Sequence, residues 1–275
     1  MSETLHNTID SKLTSLNLLA MRDVYLSLSE TMTKQQLGHI DYLSELTKIE
    51  LEQRHQKCVQ QLIKLAKLPR NKLLLDFDIT RIPGLHPGVI KNLSNGDFID
   101  CNENLLIFGN PGTGKSHLSI ALTREWCLQG RRCLYVTAAH LVQDLLIAKS
   151  KMTLNSAIKK LDRFEVLVID DISYIPYEKA ESDVLFILLA ERYEQRSMVV
   201  TSNLVFSAWG QIFKDEMTTN AAIDRLVHHS TILELNSESY RIRAAKDNQQ
   251  KQNVNLKLID DSLNNDLKKE NKNVE

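Results

Sequence analysis

The sequence predicts an α/β fold in which a mostly parallel sheet lies between helices, after a small all-helical unit. Three observations support this class. Residues 13–68 contain a single glycine and no proline, and their apolar side chains recur at helical spacing. From about residue 105, short apolar runs alternate with amphipathic segments, as in sheets whose two faces are covered by helices. A glycine-rich loop at 109–116 joins the first such run to the next amphipathic segment.

Length and charge narrow the possible functions. The chain has 275 residues, 43% of them hydrophobic, which suffices for one sizeable core and a second small one. Its 34 basic and 35 acidic residues give a net charge of −1, so a nucleic-acid surface must come from local clusters. The N-terminus lacks a signal-peptide pattern, and the longest apolar run, 184–190, is too short to span a bilayer. We expect a cytoplasmic protein with no membrane partner.

Cysteine and histidine spacing does not predict a metal site. The four cysteines stand apart in the sequence, so buried, reduced thiols are the favoured interpretation. His228 and His229 are adjacent, and on a helix their side chains would point apart. We interpret this pair as structural.

Changes in composition divide the chain into four regions. Residues 1–75 form the all-helical domain, which we expect to bind DNA or a partner. Residues 76–103 are expected to be a linker, because prolines and glycines interrupt this part of the chain. Residues 104–243 hold the alternating segments, with strand-like runs NLLIF, RCLYVT, EVLVID and SMVVTSN. Residues 244–275 are rich in asparagine and charge, which predicts a solvated, disordered tail.

The central loop matches the phosphate-binding pattern G-x-x-x-x-G-K-[ST]. Glycines allow its backbone N–H groups to curl around phosphate oxygens, and the following helix adds its positive end. Lys115 is predicted to reach the β- and γ-phosphates, and the Ser116 hydroxyl to ligate Mg²⁺. ATP and Mg²⁺ are therefore the expected cofactors. The predicted nucleotide-binding residues are Gly109, Asn110, Pro111, Gly112, Thr113, Gly114, Lys115, Ser116 and His117.

Two acidic residues and an asparagine follow later strands. In VLVIDDIS, Asp170 ends the predicted strand and would hold Mg²⁺ through water, while Asp171 would orient or activate the attacking water. Asn203 ends the run VVTSN, where its amide either contacts the γ-phosphate or water, or simply begins a turn. Arg225 lies on a later helix, from which a cation can complete a neighbouring subunit's site as an arginine finger.

Four segments carry a resemblance to a known family. ENLLIFGNPGTGKSHLSIALTREW, LDRFEVLVIDDISYIP, VVTSNLVFSAWGQIF and IDRLVHHSTILELNSESYRIRA closely resemble the IstB family. Its members are AAA+ ATPases encoded beside the transposase in a class of bacterial insertion sequences. The resemblance covers about residues 5–245 and implies a P-loop AAA+ core with little or no C-terminal lid.

The resemblance also implies roles for single residues. These are Walker A at Gly109–Ser116, Walker B at Asp170 and Asp171, sensor one at Asn203, the finger at Arg225 and sensor two at Arg241. Whether Arg241 or Arg243 contacts the nucleotide stays open. Many AAA+ proteins carry glutamate where Asp171 stands, and the shorter side chain lies further from the water. We therefore expect slow hydrolysis.

Two basic clusters are candidates for DNA contact. The first, in 54–72, contains no acidic residue and opposes an apolar helix face. Its members are Arg54, Lys57, Lys64, Lys67, Arg70 and Lys72. The second comprises Lys149, Lys151, Lys159 and Lys160, with Arg163 nearby. A merely solvated helix face is an equal alternative for the first, and the absence of base-reading motifs favours sequence-independent binding.

An ATP-controlled regulator of transposition is the leading hypothesis. The resemblance implies a homo-oligomer that assembles with ATP on double-stranded DNA, deforms it, and recruits and stimulates a transposase. ATP hydrolysis then acts as the assembly switch. The alternative is a replicative helicase loader of the DnaC type, which has the same core and a different N-terminal partner surface. A metabolic kinase is disfavoured because no acceptor-binding or closing segment stands out.

Overall fold

The computed structural model describes residues 2–69, 72–173, 177–213 and 215–236. Three helices come first, α1 (Ser2–Ser15), α2 (Leu19–Lys34) and α3 (His39–Leu65). Within the described ranges, no helix is both long and apolar enough to cross a membrane. Arg70, Arg241, Arg243 and the tail 244–275 lie outside the described residues.

The N-terminal helices pack around a small core and a buried carboxylate. Met21 and Tyr25 of α2 meet Leu46 of α3 in this core. Leu18, which precedes α2, provides no side-chain cap for the helix. Glu50 of α3 supplies one instead, because its Oε2 accepts hydrogen bonds from the first amides of α2. The predicted all-helical character of this region is confirmed.

Helix α3 connects this unit to the rest of the molecule. Its last turn contributes Leu62 and, just beyond the helix, Ala66 to the apolar cluster beneath the sheet. The backbone N–H of Tyr135 donates to the carbonyl of Ala66 over 3.1 Å. The helix ends at Leu65, and Lys67 adopts a left-handed conformation with φ 56°. Lys67 is therefore not on the helix that was expected to carry it.

The stretch expected to be a linker is folded and packed. It contains α4 (Pro87–Asn95) and α5 (Asp97–Asp100). Pro87 occupies the first turn of α4, where a missing N–H costs no hydrogen bond. The indole N–H of Trp126 donates to the carbonyl of Leu93 over 2.9 Å. The prolines and glycines of this segment thus delimit short helices on the core.

The central sheet has five parallel strands in the order β2-β3-β4-β1-β5. The strands are β1 (Asn104–Phe108), β2 (Cys133–Thr137), β3 (Val166–Asp170), β4 (Ser197–Ser202) and β5 (Ser230–Glu234). The remaining helices are α6 (Lys115–Leu128), α7 (Ala138–Ser150), α8 (Leu154–Leu161), α9 (Lys179–Arg192), α10 (Gly210–Phe213) and α11 (Glu216–Val227). Two apolar clusters cover the two faces of the sheet. The predicted parallel sheet between helices is confirmed.

A buried arginine closes the end of the sheet away from the glycine loop. Arg192 is fully buried, and its guanidinium donates to the carbonyls of Leu161, Phe164 and Ser197. Burial lowers the pKa of Arg192 to about 10, so the side chain stays charged at neutral pH. The guanidinium thus ties three backbone carbonyls at this end of the sheet to one buried side chain.

The cysteines divide into two classes. Cys127 and Cys133 are buried, whereas Cys58 and Cys101 are exposed, and all four are free. The expectation of buried thiols is therefore correct for the pair in the ATPase core and wrong for the other two.

Candidate functional site

The glycine loop leaves the carboxyl end of β1 and ends at the first turn of α6. Gly109, Gly112 and Gly114 have φ values of 155°, 87° and 100°. A Cβ on Gly109 would lie 2.7 Å from the carbonyl oxygen of Leu235 and 2.8 Å from Oγ1 of Thr113. Only glycine fits this position, and the chain can therefore form the tight curl that a phosphate cradle requires.

Lys115 lies inside this loop. Its side chain is buried, and Nζ donates to the carbonyl oxygens of Gly109 and Asn110 over 2.6 and 3.0 Å. The loop thus wraps around an ammonium group at the start of a helix. A cation, a helix N-terminus and a glycine cradle together suit a polyphosphate, and these residues fit a nucleotide.

The outer side of the loop touches the segment that leads out of the helical unit. A Cβ on Gly114 would come within 3.0 Å of the ring of Phe77. Phe77 also contacts His117 edge to face, with ring centroids 5.6 Å apart. Nε2 of His117 is hydrogen-bonded to the carbonyl of Leu73 over 2.9 Å. His117, predicted to bind nucleotide, therefore links the loop helix to residues 73–77 in this structure.

Asp170 is held in place by two hydroxyl groups. It is the last residue of β3, and its two oxygens accept from Tyr135 over 2.6 Å and from Thr201 over 2.7 Å. Burial and the neighbouring carboxylate raise the pKa of Tyr135, so the phenol remains a donor at neutral pH. Fixed in this way, Asp170 presents its carboxylate at the edge of the sheet where the glycine loop begins.

Asp171 follows in a left-handed conformation with φ 60°. Its N–H donates to Oγ1 of Thr201 over 2.7 Å, and its Oδ1 accepts from Nδ2 of Asn203 over 2.9 Å. Burial, followed by the charge of Asp170, raises the pKa of Asp171 against the opposing effect of Lys115. Aspartate is one of the few non-glycine residues that adopt this conformation readily.

The predicted acidic pair and Asn203 therefore belong to one site. In a parallel sheet the carboxyl ends of all strands lie on the same side, and the glycine loop also begins at this carboxyl end of the sheet. Tyr135 and Thr201 were not predicted, and neither was Ser173, whose Oγ accepts a hydrogen bond from the N–H of Asn203 over 2.9 Å. Thr201 carries a hydroxyl and stands two residues before Asn203, and this spacing could have suggested a place in the site. Tyr135 could not have been suspected, because only the strand register brings it near Asp170.

Arg225 belongs to a helix turn that lies at the amino end of the sheet, opposite the glycine loop. It is in the last turn of α11, and the carbonyl of the next residue, Leu226, accepts from the side chain of Asn104 over 3.2 Å. Asn104 begins β1, whereas the glycine loop follows the end of that strand. The five residues of β1 span about 16 Å from the amino end of the sheet to its carboxyl end. The guanidinium lies 5.1 Å from the ring centroid of Phe186.

The first basic cluster is partly committed to structure. Arg54 donates to Oε1 of Glu50 over 2.7 Å and to the carbonyl of Asn17 over 2.9 Å. Lys57, Lys64 and Lys67 are exposed, and Lys72 is half-buried. Arg54 thus stabilises the helical unit, whereas exposed lysines remain available to solvent or to phosphate.

The second basic cluster surrounds a protruding turn. Lys149 and Lys151 flank the end of α7, and Lys159 and Lys160 lie on α8, all of them exposed. Lys149 is 3.9 Å from the carboxylate of Asp183. Between the two helices, Met152 is 96% exposed and has φ 56°. Met152 therefore forms an apolar tip within a surface that the four lysines make basic.

The fold and the site together define the class of protein, an AAA+ type P-loop ATPase. The glycine loop after β1 and the acidic pair after β3, in a sheet of order β2-β3-β4-β1-β5, are its marks. The chain belongs to the family of IstB-like ATP-binding proteins, whose model matches residues 11–248. The resemblance seen in the sequence is confirmed.

Similar proteins agree with this assignment. An insertion sequence ATP-binding protein of Sinorhizobium fredii is 36% identical over 249 residues, which cover 88% of this chain and 84% of that protein. The IS21 insertion sequence ATP-binding protein of Pseudomonas aeruginosa is 37% identical over 217 residues, covering 79% and 82%. AMPPCP-bound DnaA from Aquifex aeolicus superposes with a TM-score of 0.52 at 18% identity, covering 67% of this chain and 56% of DnaA. The last likeness shows the fold alone.

Proposed function

We propose that this protein is an ATP-dependent, double-stranded DNA-binding regulator that oligomerises on target DNA and recruits and stimulates a transposase. Family membership supports the link to insertion sequences. The observation that carries the proposal is the separation of Arg225 from the glycine loop of its own chain. A subunit whose arginine cannot reach its own nucleotide needs a neighbour to complete the site.

The residues at the carboxyl end of the sheet support ATP hydrolysis as the proposed reaction. Ser116 and Asp170 would hold Mg²⁺, which neutralises charge on the β- and γ-phosphates. Asp171 accepts the proton of the attacking water, and its raised pKa makes its carboxylate a better base. Asn203 orients Asp171 through the hydrogen bond between their side chains. Lys115 exchanges loop carbonyls for phosphate oxygens when nucleotide binds.

Assembly depends on the same site. The guanidinium of Arg225 leaves the ring of Phe186 in its own subunit and contacts the γ-phosphate that a neighbouring subunit holds. Hydrolysis removes the charge that this arginine binds, so the contact between subunits weakens. The rate of ATP hydrolysis therefore sets the lifetime of the assembly. Slow hydrolysis suits that role, since the oligomer must outlast the recruitment of a transposase.

DNA contact is assigned to the exposed lysines of the two basic clusters. They suit phosphate binding without base reading. The tip formed by Met152 adds an apolar group that can enter between base pairs and bend the duplex. The family match begins at residue 11 and includes the helical unit, which favours this function over a helicase loader with its own N-terminal surface.

Sizing experiments test the proposal. The protein is measured with ATP, with ADP and without nucleotide, each with and without a duplex of arbitrary sequence. We expect a large complex only with ATP and duplex, and none for Lys115→Ala. A monomer under every condition would reject the proposal. Co-sedimentation of an IS21-type transposase with the DNA-bound complex then tests recruitment.

A further inference from the structure

Two histidines and a glutamate meet on the surface beside the end of α11. Glu194, His228 and His229 each offer one ligand atom, and these atoms lie within 4.8 Å of one another. Oε1 of Glu194 is 3.8 Å from Nδ1 of His228 and 3.6 Å from Nε2 of His229. The three residues come from two separate turns, 34 residues apart in sequence.

The backbone directs these side chains to one point. Helix α11 ends at Val227, so the two histidines do not both follow helical geometry. Their ring centroids lie 4.1 Å apart, which corrects the expectation that they point in different directions. Glu194 is held in the left-handed region, with φ 57°, in the turn between α9 and β4. A non-glycine residue in that conformation is strained unless its surroundings favour it.

Tyr193 adds a second polar contact to the cluster. Its hydroxyl is hydrogen-bonded to Nδ1 of His228 over 2.8 Å. The rings of the two residues also contact each other, with centroids 6.1 Å apart. The tyrosine therefore fixes the orientation of the His228 ring, and a metal ion bound at Nδ1 would take the place of the Tyr193 hydroxyl.

We propose that Glu194, His228 and His229 form a site for a divalent transition metal, with Zn²⁺ as its preferred occupant. A tetrahedral Zn²⁺ ion bound at about 2.0–2.1 Å holds its ligand atoms about 3.4 Å apart. Oε1 of Glu194 needs to move only a few tenths of an ångström from its separations of 3.8 and 3.6 Å, and all three ligand atoms lie within 4.8 Å of one another. Imidazole nitrogens select Zn²⁺ and related ions over Mg²⁺ and Ca²⁺, which prefer oxygen. Water fills the fourth position.

Metal binding would fix the end of α11. The ion ties the turn that follows this helix to the turn between α9 and β4. Arg225 lies in the last turn of α11, three residues before His228. The site therefore stiffens the base of Arg225, and this consequence does not require that Arg225 act on a nucleotide.

Calorimetry with ZnCl₂ tests the site directly. The background is the full chain with Cys58→Ser and Cys101→Ser, which removes the exposed thiols, without nucleotide or Mg²⁺. We expect one bound Zn²⁺ per chain. Glu194→Gln and His229→Ala should each weaken binding at least tenfold, whereas His55→Ala, which removes an exposed histidine of α3, should not.

Hydrogen exchange separates this site from adventitious binding. Zn²⁺ should slow exchange of the amides at the end of α11 in the background protein and leave them unchanged in His229→Ala. Circular dichroism establishes that the exposed substitutions leave the fold intact. Undetectable Zn²⁺ binding, or equal binding by the background protein and His229→Ala, would overturn the proposal. Zn²⁺ protection elsewhere than α11 would overturn it as well.

Discussion

The side-chain amide of Asn203 donates a hydrogen bond to Oδ1 of Asp171 over 2.9 Å, joining the residue after β4 to the residue after β3. The N–H of Asp171 reaches Thr201, whose hydroxyl in turn donates to Asp170. Two adjacent carboxylates are thus oriented separately, one through Asn203 and one through Thr201. The proposed division of labour, with Asp170 for Mg²⁺ and Asp171 for water, rests on this arrangement.

Replacing Asp171 by asparagine should slow hydrolysis and raise stability. Loss of the base should lower kcat by about 10²–10⁴-fold while ATP binding persists. Because the pKa of Asp171 is raised in the fold, its protonated form is favoured, and stability is lost as pH rises through that pKa. Asp171→Asn removes this loss and tolerates left-handed backbone.

Thermal unfolding at two pH values checks the stability effect. The melting temperature of Asp171→Asn should exceed that of the parent at pH 7, and the difference should vanish as the pH falls below the ordinary pKa of 3.8. Asp144→Asn, at an exposed site on α7, serves as control. A fall in melting temperature at pH 7 would contradict the electrostatic argument.

Replacing Arg225 by alanine should leave ATP binding intact and reduce hydrolysis by about 10³-fold or more, with loss of assembly. Arg225 is half-buried, and Arg196→Ala, which removes an exposed arginine outside the proposed site, serves as the control. Mixing gives the sharper measurement. Subunits with Arg225→Ala keep a complete acidic pair, and subunits with Asp171→Asn keep the arginine. Activity that returns when the two inactive variants are combined requires a finger supplied by a neighbour, and an arginine acting within its own chain would give no recovery.

Lys151→Gln should weaken binding to every duplex about equally. The lost phosphate contact should reduce the slope of log K against log salt concentration by about 0.9. Lys91→Gln, an exposed site on α4, should change neither quantity. Fluorescence anisotropy over a range of salt concentrations measures both. An unchanged slope would remove the turn between α7 and α8 from the DNA surface.

Met152→Ser should reduce DNA bending more than DNA binding. The exposed methionine makes no contribution to the core, so the fold should be unaffected. Energy transfer between dyes at the two ends of a short duplex reports the bend in the ATP-bound complex. Equal bending by Met152→Ser and the parent, at saturating protein, would exclude a wedge at this position.

Local patterns in the sequence were sufficient to predict four of the five strands, the phosphate loop and the positions of Asp170 and Asn203, whereas β5 was missed. Alternating apolar runs and the spacing of glycines are properties of a few neighbouring residues. The packed helices of 87–100 were missed because Pro87 and Gly88 were interpreted as features of a linker, although Pro87 begins one helix and Gly96 separates it from the next. Periodicity cannot distinguish a proline that ends structure from one that begins a helix.

Contacts between distant segments were beyond such reasoning. Tyr135 meets Asp170 only because β2 pairs with β3 in a particular register. The end of α11 at Val227, which gathers His228 and His229 around Glu194, likewise depends on where β5 joins the sheet. These details require the assembled structure, since they follow from the pairing of strands and not from their composition.

Glu50 gives the helical unit a measurable dependence on pH. Its Oε2 accepts the N–H groups of Ala20 and Met21 over 2.9 and 3.1 Å, and its Oε1 accepts from Arg54. Burial would raise the pKa of Glu50, but hydrogen bonds from Arg54 and from these two amides lower it overall. The carboxylate therefore contributes stability above its unfolded pKa of 4.5, and this contribution is lost as pH falls through the folded pKa.

Replacing Glu50 by glutamine should cost about 1–3 kcal/mol at pH 7, because two helix amides and a guanidinium lose an ionised acceptor. Glu52→Gln, two residues along on the exposed face of α3, should cost less than about 0.5 kcal/mol. Urea unfolding followed by circular dichroism at pH 7 and at pH 3 measures both variants. The difference between the two variants should shrink from pH 7 to pH 3, as the pH falls towards the lowered pKa of Glu50. A Glu50→Gln variant as stable as Glu52→Gln at pH 7 would mean that the buried carboxylate does not hold α2 against α3.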